Sequence, residues 1–512
     1  MEGLDQVQQL LQKYWAVLVL GSLLARLLYN KYGQNLNSIP GPFLAGLTDI
    51  WRFWNTCFAT AHDTHIWLHR KTNSHFVRLG PRTISVSDTT LIPTIYGIKS
   101  GFGKSDYFVP AMMPFQGSFT PGLFAALDED YHARLKKPIN SAYSMSTMVE
   151  FEPLVDATTA LLMSKLDNFA ASGTSFDFGV WLQMYAFDVL GEIQFSRKLG
   201  FLESGKDVSG IMADIRGKIS YAGCVGQIPF LDRVLTKNSL FLKLVPTHPI
   251  VTFTLDRMEE RAVVRAQGGA QKRDFLTRAI EAQAKYPDIV TDRAIVLYSA
   301  DNVAAGSDTT GIALRSIFYY LLKSPACMLK LVAEIDWADR AGQLSEFVTW
   351  QQSNKLPYLQ ACIKEALRMH PPVGLLIERC VHGGIFLGGN YFPEGTIVGM
   401  NPWVTARDKS VFGADADLFR PERWLEASQE QLIAMERANL VFGHGKRACI
   451  GRNISMLEIS KLVPQLLRHY TLSFVRPEQE WKVHGGWFVW QTGFEAFISK
   501  GVWKDDSQIF SI

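Results

Sequence analysis

Apolar positions recur at the three- and four-residue spacing of a helix over 155–170, 180–193, 291–322 and 358–369, so each segment is expected to be a helix with a face in a core. Segments 83–87 and 385–398 are bounded by Gly, Pro or Asp and read as short strands. The sum predicts a mainly α fold with a minor β-sheet portion. Segment 291–322 is unusually long, and apolar through Ile295, Leu297, Ala300, Val303 and Ala304. Its middle is broken by Ala305, Gly306, Ser307, Asp308, Thr309 and Thr310. Polar groups are costly to bury there unless bonded, and a helical glycine costs about 1 kcal/mol against alanine. Thr309 can bond back to the carbonyl of Ala305, which tends to bend a helix and widen the turn.

A second irregularity follows Leu440. Phe442, Gly443, Gly445, Arg447, Cys449 and Gly451 precede an apolar helical run through Ile454, Leu457, Ile459 and Leu462. A lone cysteine is most often a small buried apolar residue. This one sits before a helix start, where free N–H groups and the helix dipole favour a thiolate. The three glycines let the backbone bend close to a flat cofactor and aim N–H groups at the sulfur. Phe442 is expected to keep the site dry, and Arg447 to pair with a carboxylate, because guanidinium matches its fork. The spacing suits a haem iron held by sulfur.

Composition narrows the field. The 512 residues are 47% hydrophobic, enough for a large core, and no linker or repeat divides them. With 52 basic and 49 acidic residues, nothing points to nucleic acid. Cys57, Cys224, Cys327, Cys362, Cys380 and Cys449 form no C-x-x-C pair, which disfavours a disulfide framework or structural zinc and fits a reducing compartment. Segment 14–25 is uncharged and apolar, with Lys13 before it and Arg26 and Lys31 after. It reads as a membrane anchor near 10–29; a signal peptide, without a clear cleavage site, and a core helix are the rivals. Ile39, Pro40, Gly41 and Pro42 then form a stiff hinge.

The motif from Phe442 to Gly451 resembles the haem-binding signature of cytochrome P450 monooxygenases, and the resemblance extends over nearly the whole chain. It implies the cytochrome P450 fold, haem b (iron protoporphyrin IX) with Cys449 as the axial iron ligand, and electrons from NADPH through a separate NADPH-cytochrome P450 reductase. The break in the long helix looks like the family's oxygen-activation motif. By that resemblance Ala305 and Gly306 lie against the haem, Thr309 orders the oxygen, and Asp308 belongs to the proton path. Glu365, Arg368 and Arg423 resemble the structural triad that clamps the cysteine side. Arg379 lies where the family often has a propionate partner. His132 and Lys136 stand where it commonly has Trp and Arg, and both can still donate to a carboxylate.

The resemblance further implies a body, 36–512, on the cytosolic face of the endoplasmic reticulum membrane, held by an anchor within 1–35 that crosses it as a transmembrane helix. Segments 38–44 and 487–494 look most like filamentous-fungal members, including the pisatin demethylase-like group, many of which act in secondary metabolism. Segments 373–377, 486–491 (with Trp487, Phe488 and Trp490) and 111–124 suggest an apolar pocket and a lipophilic substrate. Lys446, Arg447 and Arg452 are expected to offer positive charge to an acidic reductase face. Two other readings stay open: a haem-thiolate isomerase or dehydratase that needs no reductase, and a non-catalytic haem sensor or carrier. The Asp308–Thr309 pair argues against the first, and the polar break has no evident purpose in the second.

Overall fold

Two side-chain caps set the frame. The Asp177 carboxylate accepts from the N–H of Val180 at 3.0 Å and starts the helix Phe178–Phe195. The Thr291 hydroxyl accepts from Ala294 at 3.3 Å and starts the central helix Asp292–Lys323. Each cap satisfies a donor that the first turn leaves without an intrahelical partner. The computed structural model describes residues 2–115, 117–244, 249–269 and 272–501, so the end of the expected body, 502–512, lies outside the described residues.

The other predicted helices form as Glu152–Ser172 and Pro357–Met369, and the helix after the cysteine as Arg452–His469. These five helices share one large apolar core. The helix Phe178–Phe195 is buried on nearly all sides, as a helix apolar all round must be. It crosses the central helix closely because two glycines face it. A Cβ on Gly306 would sit 3.4 Å from Leu190, and one on Gly311 would sit 3.1 Å from the Cα of Gln183. Gly306 therefore meets the neighbouring helix, and its part in the site is to let that helix approach.

A five-stranded sheet lies apart from this core. It runs in the order Phe76–Arg78, Thr83–Val86, Ile397–Gly399, Arg379–Cys380 and Gly103–Lys104. The second and third strands are parallel, with Ile397 opposite Thr83; the other pairs are antiparallel. The last pairing sets Lys104 opposite Arg379. The strand expected over 385–398 is divided. Gly388 and Gly389 turn Ile385–Leu387 back onto Asn390–Phe392, and Pro393 to Gly395 break the chain before it joins the sheet at Ile397.

The N-terminus corrects one expectation. Its helix covers Glu2–Tyr32, yet among the described residues no helix is long and apolar enough to cross a membrane. The uncharged run spans about 18 Å at 1.5 Å per residue, against a hydrocarbon core of about 30 Å. What it does present is exposed apolar surface, including Trp15, Val17, Leu20 and Leu24. The end of this helix is tied to the body. Buried Arg78 donates to the carbonyls of Asn30 (2.7 Å) and Lys31 (3.0 Å). Gly41 in the hinge leaves no room for a side chain, since a Cβ would meet the Arg78 carbonyl at 2.2 Å.

The helix crossing is testable. Gly311→Val is expected to cost about 1–3 kcal/mol in thermal unfolding. Gly217→Ala, at a helical position with nothing within 4 Å, should be neutral or gain up to about 1 kcal/mol.

Candidate active site

The loop carrying Cys449 is built on two left-handed residues. Gly443 has φ +66° and Gly445 φ +65°, conformations that cost a residue with a Cβ. Gly445 is constrained twice, because a Cβ there would lie 1.9 Å from the carbonyl oxygen of Tyr96. Gly451 differs. Its φ is −81°, open to any residue, and its missing Cβ would stand 4.0 Å from the Cys449 Sγ. Its smallness keeps that flank of the sulfur clear. The N–H of Cys449 donates to the Phe442 carbonyl at 2.8 Å and closes the loop. Cys449 is exposed, yet the protein packed around it pushes the thiol pKa up by desolvation, while backbone N–H groups of Gly451 and Arg452 and the charges of Arg452 and Lys136 pull it down. The donors expected at a helix start are thus aimed at the sulfur.

A cluster of cations gathers beside this loop. Arg447 is 2% exposed at its side chain; its Nε reaches both oxygens of Glu129 at 3.2 and 3.1 Å. Its Nη1 is buried with no partner among the described residues. Burial, then Arg447, Lys104 and Lys136, push the His132 pKa down to about 3, so the ring is neutral and keeps one N–H to donate. Burial, then Arg447 and Arg379, depress Lys104 well below the usual lysine range. Arg379 is buried, lies 5.0 Å over the Tyr96 ring, and donates to the Glu378 carbonyl at 2.8 Å. Lys136 donates to the Lys446 carbonyl at 3.3 Å and fastens the cysteine loop to the helix Glu129–Lys136. Mutually repelling cations, one with an unpaired buried donor, suit a group that brings carboxylates. Haem propionates fit that description. The residues that would take them are Arg447, Arg379, His132 and Lys104. Lys104 was missed in the sequence; its one signal there is a lysine between Phe102 and a run of aromatics.

The geometry revises the reductase expectation. Arg447 is engaged inward, and Lys446 donates to the Ser100 carbonyl at 3.1 Å and pairs with Glu129 at 3.4 Å. Of the three residues, only Arg452 is exposed.

The triad is present and enlarged. Glu365 and Arg368 are both 0% exposed and pair through two bonds of 2.8 Å. Arg423 adds a bond of 2.9 Å to the same carboxylate, as do the indole of Trp424 and the N–H of Arg420. Arg368 also donates to the carbonyls of Ala406 (2.7 Å), Ala416 (2.6 Å) and Leu418 (3.0 Å). Burial raises the Glu365 pKa, but Arg368 and Arg423 outweigh it and hold the carboxyl below its ordinary range. One charge centre thereby pins the chain from 406 to 424 against the helix Pro357–Met369.

On the central helix, the Thr309 hydroxyl donates to the Ala305 carbonyl at 2.8 Å, as expected. Ala305 is exposed while Val303, Ala304 and Ser307 around it are buried. A bare face in the middle of a core helix leaves room for a flat group beside it. The hydroxyls of Thr310 and Ser455 bond at 2.9 Å and join this helix to the cysteine helix. Asp308 turns away into the protein, 1% exposed, and accepts from the Gln183 amide. Burial first pushes its pKa up to about 6.

The three expected apolar segments come together. Leu375, Trp487, Phe488 and Trp490 cluster with Ile312 of the central helix and with Phe108, just before segment 111–124. From that segment Ala111 packs against them and the Phe124 ring lies 5.5 Å from Trp487, while Val373 bridges to Phe488. Asp301 and Lys104 hold the loop before them, through the N–H and carbonyl of Phe124. Tyr107 Oη and Trp490 Nε1 are buried there without partners among the described residues.

Comparison with known proteins agrees with this geometry. The family described as Cytochrome P450 matches residues 45–493. A cytochrome P450 monooxygenase of Emericella nidulans, cicH, is 44% identical over 464 residues, covering 90% of this chain and 93% of that protein. A cytochrome P450 monooxygenase of Aspergillus terreus is 45% identical over 448 residues, covering 86% and 90%. The pkfB monooxygenase of Emericella nidulans is 38% identical over 508 residues, covering 97% and 96%.

Removing one partner of a buried ion pair typically costs about 3–5 kcal/mol. Arg368→Ala should therefore fold poorly and carry little haem per chain, measured by pyridine haemochromogen. Arg447→Ala should fold but lose haem on dilution faster than the native protein. Native haem content and retention in both variants would contradict these roles.

Proposed function

The chain belongs to the cytochrome P450 family and is an oxidoreductase of the monooxygenase kind; we propose that it inserts one oxygen atom from O2 into a lipophilic small molecule of fungal secondary metabolism. The observation that carries this reading is the set of cations around the unpaired Nη1 of Arg447, beside a glycine-framed cysteine and a bared turn at Ala305. Haem, when bound, supplies the activation of oxygen and its insertion into the substrate. NADPH is the electron source, through a separate reductase.

The chain's own residues do the rest. Cys449 supplies the sulfur ligand, and the N–H groups of Gly451 and Arg452 stabilise its negative charge. Arg447, Arg379, His132 and Lys104 would hold the propionates of a bound haem. Phe108, Trp487 and Phe488 exclude water and bury an apolar substrate, while Trp490 Nε1 and Tyr107 Oη orient any acceptor it carries. Thr309 keeps a hydroxyl at the bared turn, and Asp308 passes protons toward it. The exposed apolar helix within 14–25 attaches the enzyme to the cytosolic face of the endoplasmic reticulum, with Arg26 and Lys31 beside the headgroups.

Product formation should require NADPH, a reductase and O2; turnover without them would favour an isomerase or dehydratase. Thr309→Ala should still consume NADPH while product per NADPH falls about tenfold or more. An unchanged product yield would remove Thr309 from the mechanism. Deleting 1–35 should move the protein from the membrane pellet toward the supernatant, and unchanged pelleting would mean that another surface holds it.

A further inference from the structure

Asp308 is held in an unusual way for a buried acid that must exchange protons. Among the described residues it has no direct ion pair. One oxygen, Oδ1, accepts from Nε2 of Gln183, and the Gln183 Oε1 accepts from Nη2 of Arg315 at 2.6 Å. Arg315 is itself fixed. Its Nε donates to the Gly179 carbonyl at 2.8 Å and its Nη1 to the Gln491 carbonyl at 3.3 Å. All three side chains are at least 97% buried, with Asp308 1%, Gln183 2% and Arg315 3% exposed. The remaining oxygen, Oδ2, is buried with no partner among the described residues. The glycines that bring the two helices together also set this contact, since Gly311 lies against Gln183.

We infer that Gln183 and Arg315 are positioning residues for proton delivery: Arg315 orients the Gln183 amide, the amide fixes one oxygen of Asp308, and the other oxygen is left to exchange the proton. The inference rests on the reading of Asp308 as part of the proton path. A neutral amide suits the task better than a direct guanidinium contact. A guanidinium bonded straight to the carboxylate would hold it ionised. An amide bonds one oxygen and lets the group exist in both states. The step balances as a relay: Oδ2–H gives its proton to a water that passes it on toward Thr309, and the carboxylate left behind takes up one proton relayed from bulk solvent.

The charged groups facing Asp308 fix the sign of the effect. Arg315 and Arg216 favour its ionised form, Asp207 opposes it, and the Gln183 N–H favours it. Asp177 faces Arg315 rather than the acid. Losing the amide donor therefore raises the pKa of Asp308 further above about 6.

The test is Gln183→Glu, nearly equal in volume and still able to accept from Arg315, but unable to donate while ionised. In the holoenzyme, the protonated-carboxyl infrared band assigned by its loss in Asp308→Asn should titrate about one unit higher, a tenfold change in occupancy. The alkaline limb of the pH profile for product formation should move up with it. Product per NADPH should fall about tenfold, with haem content and substrate-binding spectra unchanged. Gln183→Met, which has no carboxyl to complicate the band, should also raise the midpoint. If both variants keep the native midpoint and yield while Asp308→Asn is impaired, Gln183 does not position the acid and the inference is overturned. If Asp308→Asn keeps the native yield, the proton-path reading fails and the inference with it.

Discussion

One sulfur atom organises this molecule. Cys449 stands just before the helix Arg452–His469, with the N–H groups of Gly451 and Arg452 turned toward it. That placement depends on a loop whose left-handed turns favour glycine at positions 443 and 445, with no room for a side chain at 445. The loop in turn is held from outside. Lys136 bonds its backbone, Arg447 anchors it to Glu129, and the Glu365 centre pins the preceding segment to the helix Pro357–Met369. Buried charge is expensive, so its concentration here is informative. It buys little stability over apolar packing; it fixes position.

Charge is arranged differently on the two sides of the site. Beside the cysteine, cations outnumber acids, and burial together with mutual repulsion lowers the proton affinity of His132 and Lys104. Such a cluster is poorly stable by itself and is relieved by a ligand that carries carboxylates. On the central helix the opposite holds. Asp308 is an acid raised by burial, held by an amide with a guanidinium behind it. The first arrangement suits a resident group that carries carboxylates. The second is an acid that burial holds above the ordinary carboxylate range, as the proposed proton path requires.

Much of this was legible in the sequence. The long helices were readable because their apolar spacing is sustained; their limits were less so, because the starts are set by the side-chain caps Asp177 and Thr291, which apolar spacing does not mark. The cysteine loop was readable because steric and electrostatic demands fix so many of its residues. The strand over 385–398 was read as one because apolar content spoke louder than the glycines within it. The N-terminal helix was read as a span although its uncharged run is too short. Glu129, Gln183 and Arg315 were not legible at all, and Lys104 only as a lysine near aromatic residues. Their roles come from pairings between segments far apart in the chain, such as the strand register that sets Lys104 opposite Arg379. Gly306 was assigned by its place in the motif, whereas helix rotation turns it toward Leu190.

The central claim is that the Cys449 sulfur is the ligand of haem iron. Its most direct measurement is the absorption spectrum of the reduced protein under carbon monoxide, before and after Cys449→Ser. The account predicts the red-shifted Soret band of sulfur-ligated haem in the native protein and its loss in the variant, with the helical circular dichroism retained. A native protein that holds haem but lacks that band, or a variant that keeps it, would contradict the account.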